Sequence, residues 1–282
     1  MKDKILLIDY LAFVYRGVVK FGWGDKEQPA GPSFTIVYNF FRNLRSVVEQ
    51  FQPTKVFICC EGQNVFRYSL YPDYKNNRII KTADIKTDKK VATKEDFNRQ
   101  RDIITNLLPN LPITIVSSEE FEADDVITTL VENLKDEEVV IYSGDKDFIQ
   151  LLQKGYKNLK LYSPVKNDYV VAPDFNYLTF HTLRGDQIDN IPSIAGPKKA
   201  EKLATDIKAF AEFLDSSEEN KANYKLNLSL IELKIIPDER LQFVECHTNF
   251  AYLKEQFAKM DFKSVVENNY WERFIKTFEG LR

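Results

Sequence analysis

Histidine and cysteine are scarce in this chain, with His181 and His247 the only histidines and Cys59, Cys60 and Cys246 the only cysteines among 282 residues. Two separated histidines exclude a histidine-rich zinc centre and leave little room for a Ser–His–Asp relay. Each reads as an ordinary surface or satisfied core side chain. Three cysteines without a CxxC pair exclude a disulfide framework. Cys59 and Cys60 end the apolar run KVFICC and read as buried strand thiols, which fits a reducing cytoplasm. There is no apolar run of roughly 18 residues, so no transmembrane helix is expected. The start, MKDKILLIDY, is too short and too acidic for a signal peptide. An excess of positive charge is also missing, because 39 Lys and Arg stand against 42 Asp and Glu.

What the chain has is ordinary globular material, 44% hydrophobic and 29% charged. The first 165 or so residues alternate between short aliphatic runs and helix-like segments. KILLID (4–9), KVFICC (55–60), ITIVS (113–117), VVIYS (139–143) and the weaker NLKLYS (158–163) read as strands buried on both faces. Helical patterns fall near 33–51, 93–108, 122–135 and 146–153. Alternation of this kind predicts an α/β fold with a mostly parallel central sheet and helices on both faces. Beyond about residue 173 the strands are expected to stop, leaving helices at 174–184, 197–214, 218–234 and 250–279. The expected organisation is therefore an α/β core over 1–172 and a helical C-terminal region over 173–282. Residues 73–101 form a long crossover with nine Lys/Arg against five Asp/Glu, which by charge patterning alone reads equally as a solvated face.

The stretch SSEEFEADDVITTL (117–130) holds five carboxylates between Glu119 and Asp125 and then turns apolar. Acids at a helix start complement the helix dipole, so capping is the ordinary reading. Neighbouring strand ends favour a second one. In a parallel α/β sheet, ligands bind at the carboxyl ends of the strands. Asp9 follows KILLI, Glu61 follows KVFICC, Asp145 and Asp147 follow VVIYSG, and Glu122, Asp124 and Asp125 follow ITIVS. Four strands thus direct acids to one edge, and like charges so gathered need cations to stay ionised. An all-oxygen set suits Mg²⁺, with Mn²⁺ as a substitute, and its size suits two ions clamping a phosphodiester. Asp186 and Asp189 form a further pair, spaced to share one face of a turn. Lys198 and Lys199 in GPKKAEKL open a helix whose N-terminus suits a phosphate. Setting these nine acids aside leaves 33 against 39 bases, so the rest of the chain carries +6. An acidic pocket in a basic body fits a metal-dependent nuclease.

In order along the chain, LLIDYLAFVYR, VFRYSLYPDYKNNR, EFEADD, SGDKDF and GDQIDNIP resemble the 5′→3′ exonuclease and flap endonuclease family, in particular its bacteriophage members. The resemblance covers about residues 4–205. It implies a PIN-like 5′ nuclease core, a helical arch over about 73–101, and a helix-turn-helix-like DNA-binding motif in the helical C-terminal portion. It implies Mg²⁺-dependent cleavage of DNA, or of RNA paired to DNA, at 5′ ends, flaps, nicks or branch points during replication, with RNase H-type primer removal included. By position, Asp9, Glu61, Glu122, Asp124, Asp125, Asp145 and Asp147 match the family's active-site acids, and Asp186 and Asp189 its second metal position. Tyr74, Lys75 and Arg78 match the arch base, where Lys75 and Arg78 would steady the scissile phosphate. Arg16 and Arg67 match positions touching the 5′ part of the substrate. Lys81 lies in the arch, whose residues 79–92 would admit a single-stranded 5′ end. Tyr15, Phe66, Tyr68 and Tyr71 fit base stacking or internal packing equally.

Two departures stand out. Glu61 occupies a strand end where the family usually has Asp. The turn after DNIP reads SIAGPKKA, two residues short and lacking two glycines, which weighs against a K⁺ site in the hairpin. Further expectations are a monomer in the cytoplasm of a bacterium or phage-infected host, with no membrane contact. A replicative polymerase or single-strand-binding protein is the expected protein partner. Two rival readings are a non-catalytic branched-DNA-binding protein of the same fold and a PIN-like ribonuclease. Seven clustered acids argue against the first, and GDQIDNIP with the helical C-terminal portion against the second.

Overall fold

The computed structural model describes residues 2–18, 33–76, 94–267 and 269–282. Its centre is a sheet of seven strands: β1 (Lys4–Asp9), β2 (Lys55–Cys60), β3 (Thr114–Ser117), β4 (Glu138–Tyr142), β5 (Leu159–Ser163), β6 (Asp168–Tyr169) and β7 (Gln242–Val244), in the order β6-β5-β4-β1-β2-β3-β7. The five inner strands run parallel, while β6 and β7 flank them antiparallel. Strand β1 explains why the first apolar run lacks alternation. Ile5, Leu6, Leu7 and Ile8 are all buried, because a parallel sheet is covered on both sides. Leu6 and Ile8 face one core with Phe40, Leu44 and Phe51, whereas Ile5 and Leu7 face the other with Val126, Leu130 and Phe148. The period of two is present in the packing even though it is invisible in the composition.

Helices fill both faces: α1 (Tyr10–Val18), α2 (Thr35–Phe51), α3 (Phe66–Leu70), α4 (Lys94–Leu107), α5 (Ala123–Asn133) and α6 (Ile149–Gln153). Helix α2 stops at Gln52, whose left-handed backbone (φ 46°) lets its N–H donate to Val48 O at 2.8 Å. The helical region continues with α7 (Tyr177–Arg184), α8 (Pro197–Thr205), α9 (Ile207–Asp215), α10 (Glu218–Ile231), α11 (Phe250–Lys259), α12 (Lys263–Val266) and α13 (Asn269–Glu279). Pro197 opens α8, and Asp206 and Ser217 cap α9 and α10 through their side chains. Asp206 also divides the single helix expected over 197–214. The cysteines are free, Cys59 buried and Cys60 partly so. Among the described residues no helix is long and apolar enough to cross a membrane.

One expectation fails here. Strands do not stop at residue 173, because β7 returns to the sheet and pairs with β3. The C-terminal helices follow it, and Phe257 packs against Phe41 of α2 with ring centres 5.0 Å apart. Trp271, Phe274 and Phe278 extend this aromatic layer into the core that covers Leu6 and Ile8. The sheet and its core therefore cross the boundary expected near 172. From the last turn of α10 through the irregular segment 232–236, buried side chains satisfy the backbone. Gln150 donates to Ile231 O at 3.0 Å and accepts from Leu233 N at 3.3 Å, and Ile236 N donates to Thr129 Oγ1 at 2.8 Å.

Candidate metal and nucleic-acid site

The parallel inner strands deliver their carboxyl ends to one edge, and the acids named from the sequence lie along it. Asp9 closes β1 and accepts from Ala12 N at 3.0 Å, so it also caps α1. Asp124 sits in the first turn of α5, and Asp145 follows β4, where its N–H is held by Ser143 Oγ at 3.0 Å. These three carboxylates feel one another. Burial, then Asp145, Asp9 and Glu122, raise the Asp124 carboxyl well above its ordinary range. Asp145 is exposed to solvent, yet the protein packed around it, then Asp147, Asp9 and Asp189, push its carboxyl up to about 7. One oxygen of Asp124, Oδ1, is buried and has no hydrogen-bond partner among the described residues. A buried acceptor left without a donor costs about 1–3 kcal/mol, which a bound cation would offset. All donors here are oxygens, the set that hard divalent cations take. Among the described residues, no three of the acids, cysteines and histidines stand close enough to form a preassembled cage, as expected where like charges face each other without a counter-ion.

A second group lies beside them. Asp147 N donates to Asp145 Oδ1 at 2.8 Å, and the Asp147 carboxylate faces His181 Nδ1 at 2.8 Å. His181, on α7 and only 4% exposed, has its other nitrogen 3.6 Å from Asp186 Oδ2. Burial opposes charge on this ring, but Asp147 and Asp186 win and push it up to about 9. Asp186 is held down to about 2: burial works the other way, and His181 with the N–H groups of Ile188 and Asp189 outweighs it. Sequence reading missed His181. Its only signal is its place on the helix that leads into GDQIDNIP, because Asp147 comes from a distant loop.

The third group departs from expectation. Arg67 is 2% exposed. Its guanidinium grips Asp125 through both ends, with Nη2 at 2.9 Å from Oδ1, and its Nη1 stands 3.2 Å from Glu122 Oε2. Arg67 Nε donates to Leu230 O at 2.7 Å and Nη2 to Glu232 O at 3.1 Å. Asp125, fully buried, also accepts from Lys234 N at 2.8 Å and from Glu122 N at 3.3 Å. Arg67 is thus no surface contact for DNA, and Asp125 turns into this brace rather than toward a cation. The physical reason is desolvation. A buried fork of donors requires a carboxylate, and Asp125 is the one supplied. Tyr74 is buried as well, and its hydroxyl donates to Glu122 Oε2 at 3.1 Å instead of facing solvent. Glu122 further accepts from Lys75 Nζ. Burial pushes the Glu122 carboxyl up, but Lys75 and Arg67 prevail and hold it below its usual value. Lys75 adopts a left-handed backbone (φ 59°), and its N–H donates to Asp189 O at 2.9 Å. Asn190 Nδ2 reaches back to Asp73 O at 3.0 Å, so the segment carrying Tyr74 and Lys75 is tied to the Asp186–Asp189 turn.

The remaining residues are spread more widely. Glu61 is exposed just past β2. Arg16 lies over the Tyr142 ring at 5.7 Å, close under the end of β4. Lys198 and Lys199 project from the exposed start of α8, with Lys199 Nζ 4.2 Å from the Phe213 ring centre. Tyr15 is half exposed and stacks on Phe97 at 4.8 Å; Tyr68, also half exposed, meets Tyr74 edge-on. Phe66 packs against Phe121 and Tyr71 against the small core around Tyr74. Arg78 and Lys81 lie outside the described residues, as do residues 79–92 of the expected arch.

A family profile described as 5′-3′ exonuclease, N-terminal resolvase-like domain, matches residues 4–175. DNA polymerase I of Bacillus subtilis is 28% identical over 249 residues, which is 83% of this chain and 26% of that protein. The thermostable DNA polymerase I of Thermus filiformis is 29% identical over 289 residues, 99% of this chain and 31% of that protein. The chain therefore spans about a quarter to a third of the length of these relatives. Among solved structures, a bacteriophage T5 flap endonuclease in complex with DNA and metal ions superposes with a TM-score of 0.63 at 17% identity, covering 98% of this chain and 99% of that one. The flap endonuclease of Methanococcus jannaschii gives 0.58 at 15% identity, covering 99% and 93%. At these identities the likeness is one of fold.

Proposed function

The chain belongs to the 5′-3′ exonuclease family, and on that premise we propose that it is a divalent-metal-dependent, structure-specific 5′ nuclease. Its substrates on this reading are DNA, or RNA paired to DNA, at 5′ flaps, nicks and branch points, and its role is primer or flap removal during replication in the cytoplasm. The observation that carries the reading is the buried Asp124 Oδ1, which has no hydrogen-bond partner among the described residues, together with the electrostatic influence of Asp145 and Asp9 on its carboxyl from the carboxyl edge of the sheet. These acids would hold Mg²⁺ or Mn²⁺, with Asp147, Asp186 and Asp189 beside them for a second ion. Bound there, the ions would supply Lewis acidity and neutralise charge at a phosphodiester.

The protein's own contribution is positional. Glu122 holds Lys75 beside the acids, and Tyr74 and Arg67 hold Glu122. A cation so placed steadies negative charge on a scissile phosphate without reorganising. The bond between Lys75 N and Asp189 O fixes the arch base to the turn carrying Asp186 and Asp189. Substrate binding on this reading also draws on Arg16, Lys198 and Lys199, and on Arg78 and Lys81 of the arch. A polymerase or a single-strand-binding protein fits as partner for a chain with these relatives. Cleavage of a labelled 5′-flap and a nicked duplex in Mg²⁺ tests the proposal, with wild type set against Asp145→Asn. Wild type should cut, and the variant should lose about a hundredfold or more in rate, the order expected when charge stabilisation at the reacting group is removed. Equal cutting by both, or cutting that persists in excess chelator, would overturn it.

A further inference from the structure

His181 joins two acids that arrive from separate parts of the fold. Asp147 belongs to the loop after β4, and Asp186 to the turn after α7. The imidazole lies between them, Nδ1 2.8 Å from Asp147 Oδ1 and Nε2 3.6 Å from Asp186 Oδ2. It is 4% exposed, so this placement is set by packing, including the Tyr177 ring at 5.7 Å, and not by a passing surface contact. Asp186 divides its two oxygens cleanly. Oδ1 accepts from Ile188 N at 2.7 Å and from Asp189 N at 3.3 Å, while Oδ2 faces His181. Asp147 is likewise fixed, its N–H bonded to Asp145 Oδ1 at 2.8 Å and its carboxylate against the ring. The imidazole is thus packed against both acids, with its nitrogens close to them but outside hydrogen-bond geometry among the described residues.

We infer that His181 is a positioning residue for a second divalent cation shared by the Asp147 and Asp186 side of the crevice. It touches neither substrate nor reacting atoms; it sets the spacing and orientation of two carboxylates that do the binding. This rests on the nuclease reading above and adds a residue to it. Carboxylates that ligate metals are themselves held by a surrounding layer of polar groups, and removing such a holder typically weakens metal binding about 10- to 100-fold. The cluster of Asp9, Asp124 and Asp145 does not include His181, so the two ions should respond differently.

Isothermal titration of the metal-free full chain with Mn²⁺ reads this directly, without substrate. Wild type should bind two ions. His181→Phe should keep one affinity and weaken the other about 10- to 100-fold, whereas Asp124→Asn should weaken the site that His181→Phe spares. His181→Gln, whose amide donates to one carboxylate, should weaken the same ion less than His181→Phe does. It decides the matter alone if the Phe variant unfolds, as circular dichroism would reveal. Two ions bound unchanged by both His181 variants would overturn the inference and leave the nuclease reading intact. A single ion in wild type would overturn it too, since no second site would exist to position. No Mn²⁺ bound by wild type would instead sink the nuclease reading, and this inference with it.

Discussion

Asp125 and Asp124 are adjacent in sequence and do opposite things. Asp125 is sealed from water and matched to Arg67 by a two-pronged ion pair, whereas Asp124 keeps one buried oxygen without a donor among the described residues. The first arrangement is structural. Removing one partner of such a pair leaves the other charged and buried, which costs about 3–5 kcal/mol. Arg67→Ala should therefore lower the urea midpoint by that much free energy, as should Asp125→Ala. Loss confined to DNA binding, with stability unchanged, would contradict the buried brace. Asp145 behaves differently. The protein packed around it, then its acidic neighbours, push its carboxyl up to about 7, above the ordinary aspartate value near 3.9. A group raised in this way binds its proton more tightly folded than unfolded. The metal-free protein thus loses stability as pH climbs from about 4 through about 7. Asp145→Asn lacks this penalty. At pH 8 without metal it should melt about 2–4 °C higher than wild type, the shift that ~1 kcal/mol brings at this size, and the gain should shrink at pH 5. The sequence displayed the acids at the strand ends but not this division of labour. Neighbours in sequence point to different faces of α5, and only the long-range partners Arg67 and Lys234 reveal which acid is claimed.

Among elements, the loops leaving β2 and β3 are laced together through their backbones. Gly62 N donates to Phe121 O at 2.9 Å, Asn64 N to Glu119 O at 3.0 Å and Phe66 N to Glu120 O at 2.9 Å. A Cβ at Gly62 would collide with the carbonyls of Ser118 and Glu119. Gly62→Ala should cost about 1–3 kcal/mol, as overfilling a packed site does, and thermal melting with no loss would contradict the lacing. By holding these loops, the backbone bonds aim Glu61 and α5 toward the same edge. The inner strands were legible because continuous β-branched and aliphatic runs have few other uses. Strand β7 was not, since three residues, Gln242–Val244, carry no period and only pairing with β3 makes them a strand. The end of α10 and the irregular segment 232–236 were equally hidden, because their hydrogen bonds come from Arg67, Gln150, Asp125 and Thr129 rather than from a neighbouring strand.

Across the whole molecule, the C-terminal region is part of the body that builds the crevice. It contributes β7 to the sheet, aromatic rings to the core beneath α2, His181 to the acids, and the carbonyls that hold Arg67. An alternating α/β start followed by helices suggested two regions because hydrophobic periodicity is a local signal, and rings such as Phe257 and Phe274 do not announce which core they enter. The central claim is that the acids at the carboxyl edge of the sheet hold divalent cations. Anomalous diffraction from crystals of the full chain soaked in Mn²⁺ tests it most directly. The expected result is a strong peak bounded by Asp9, Asp124 and Asp145 with a second toward Asp147 and Asp186, whereas a crevice without any anomalous peak, or peaks confined to the remote surface, would contradict it.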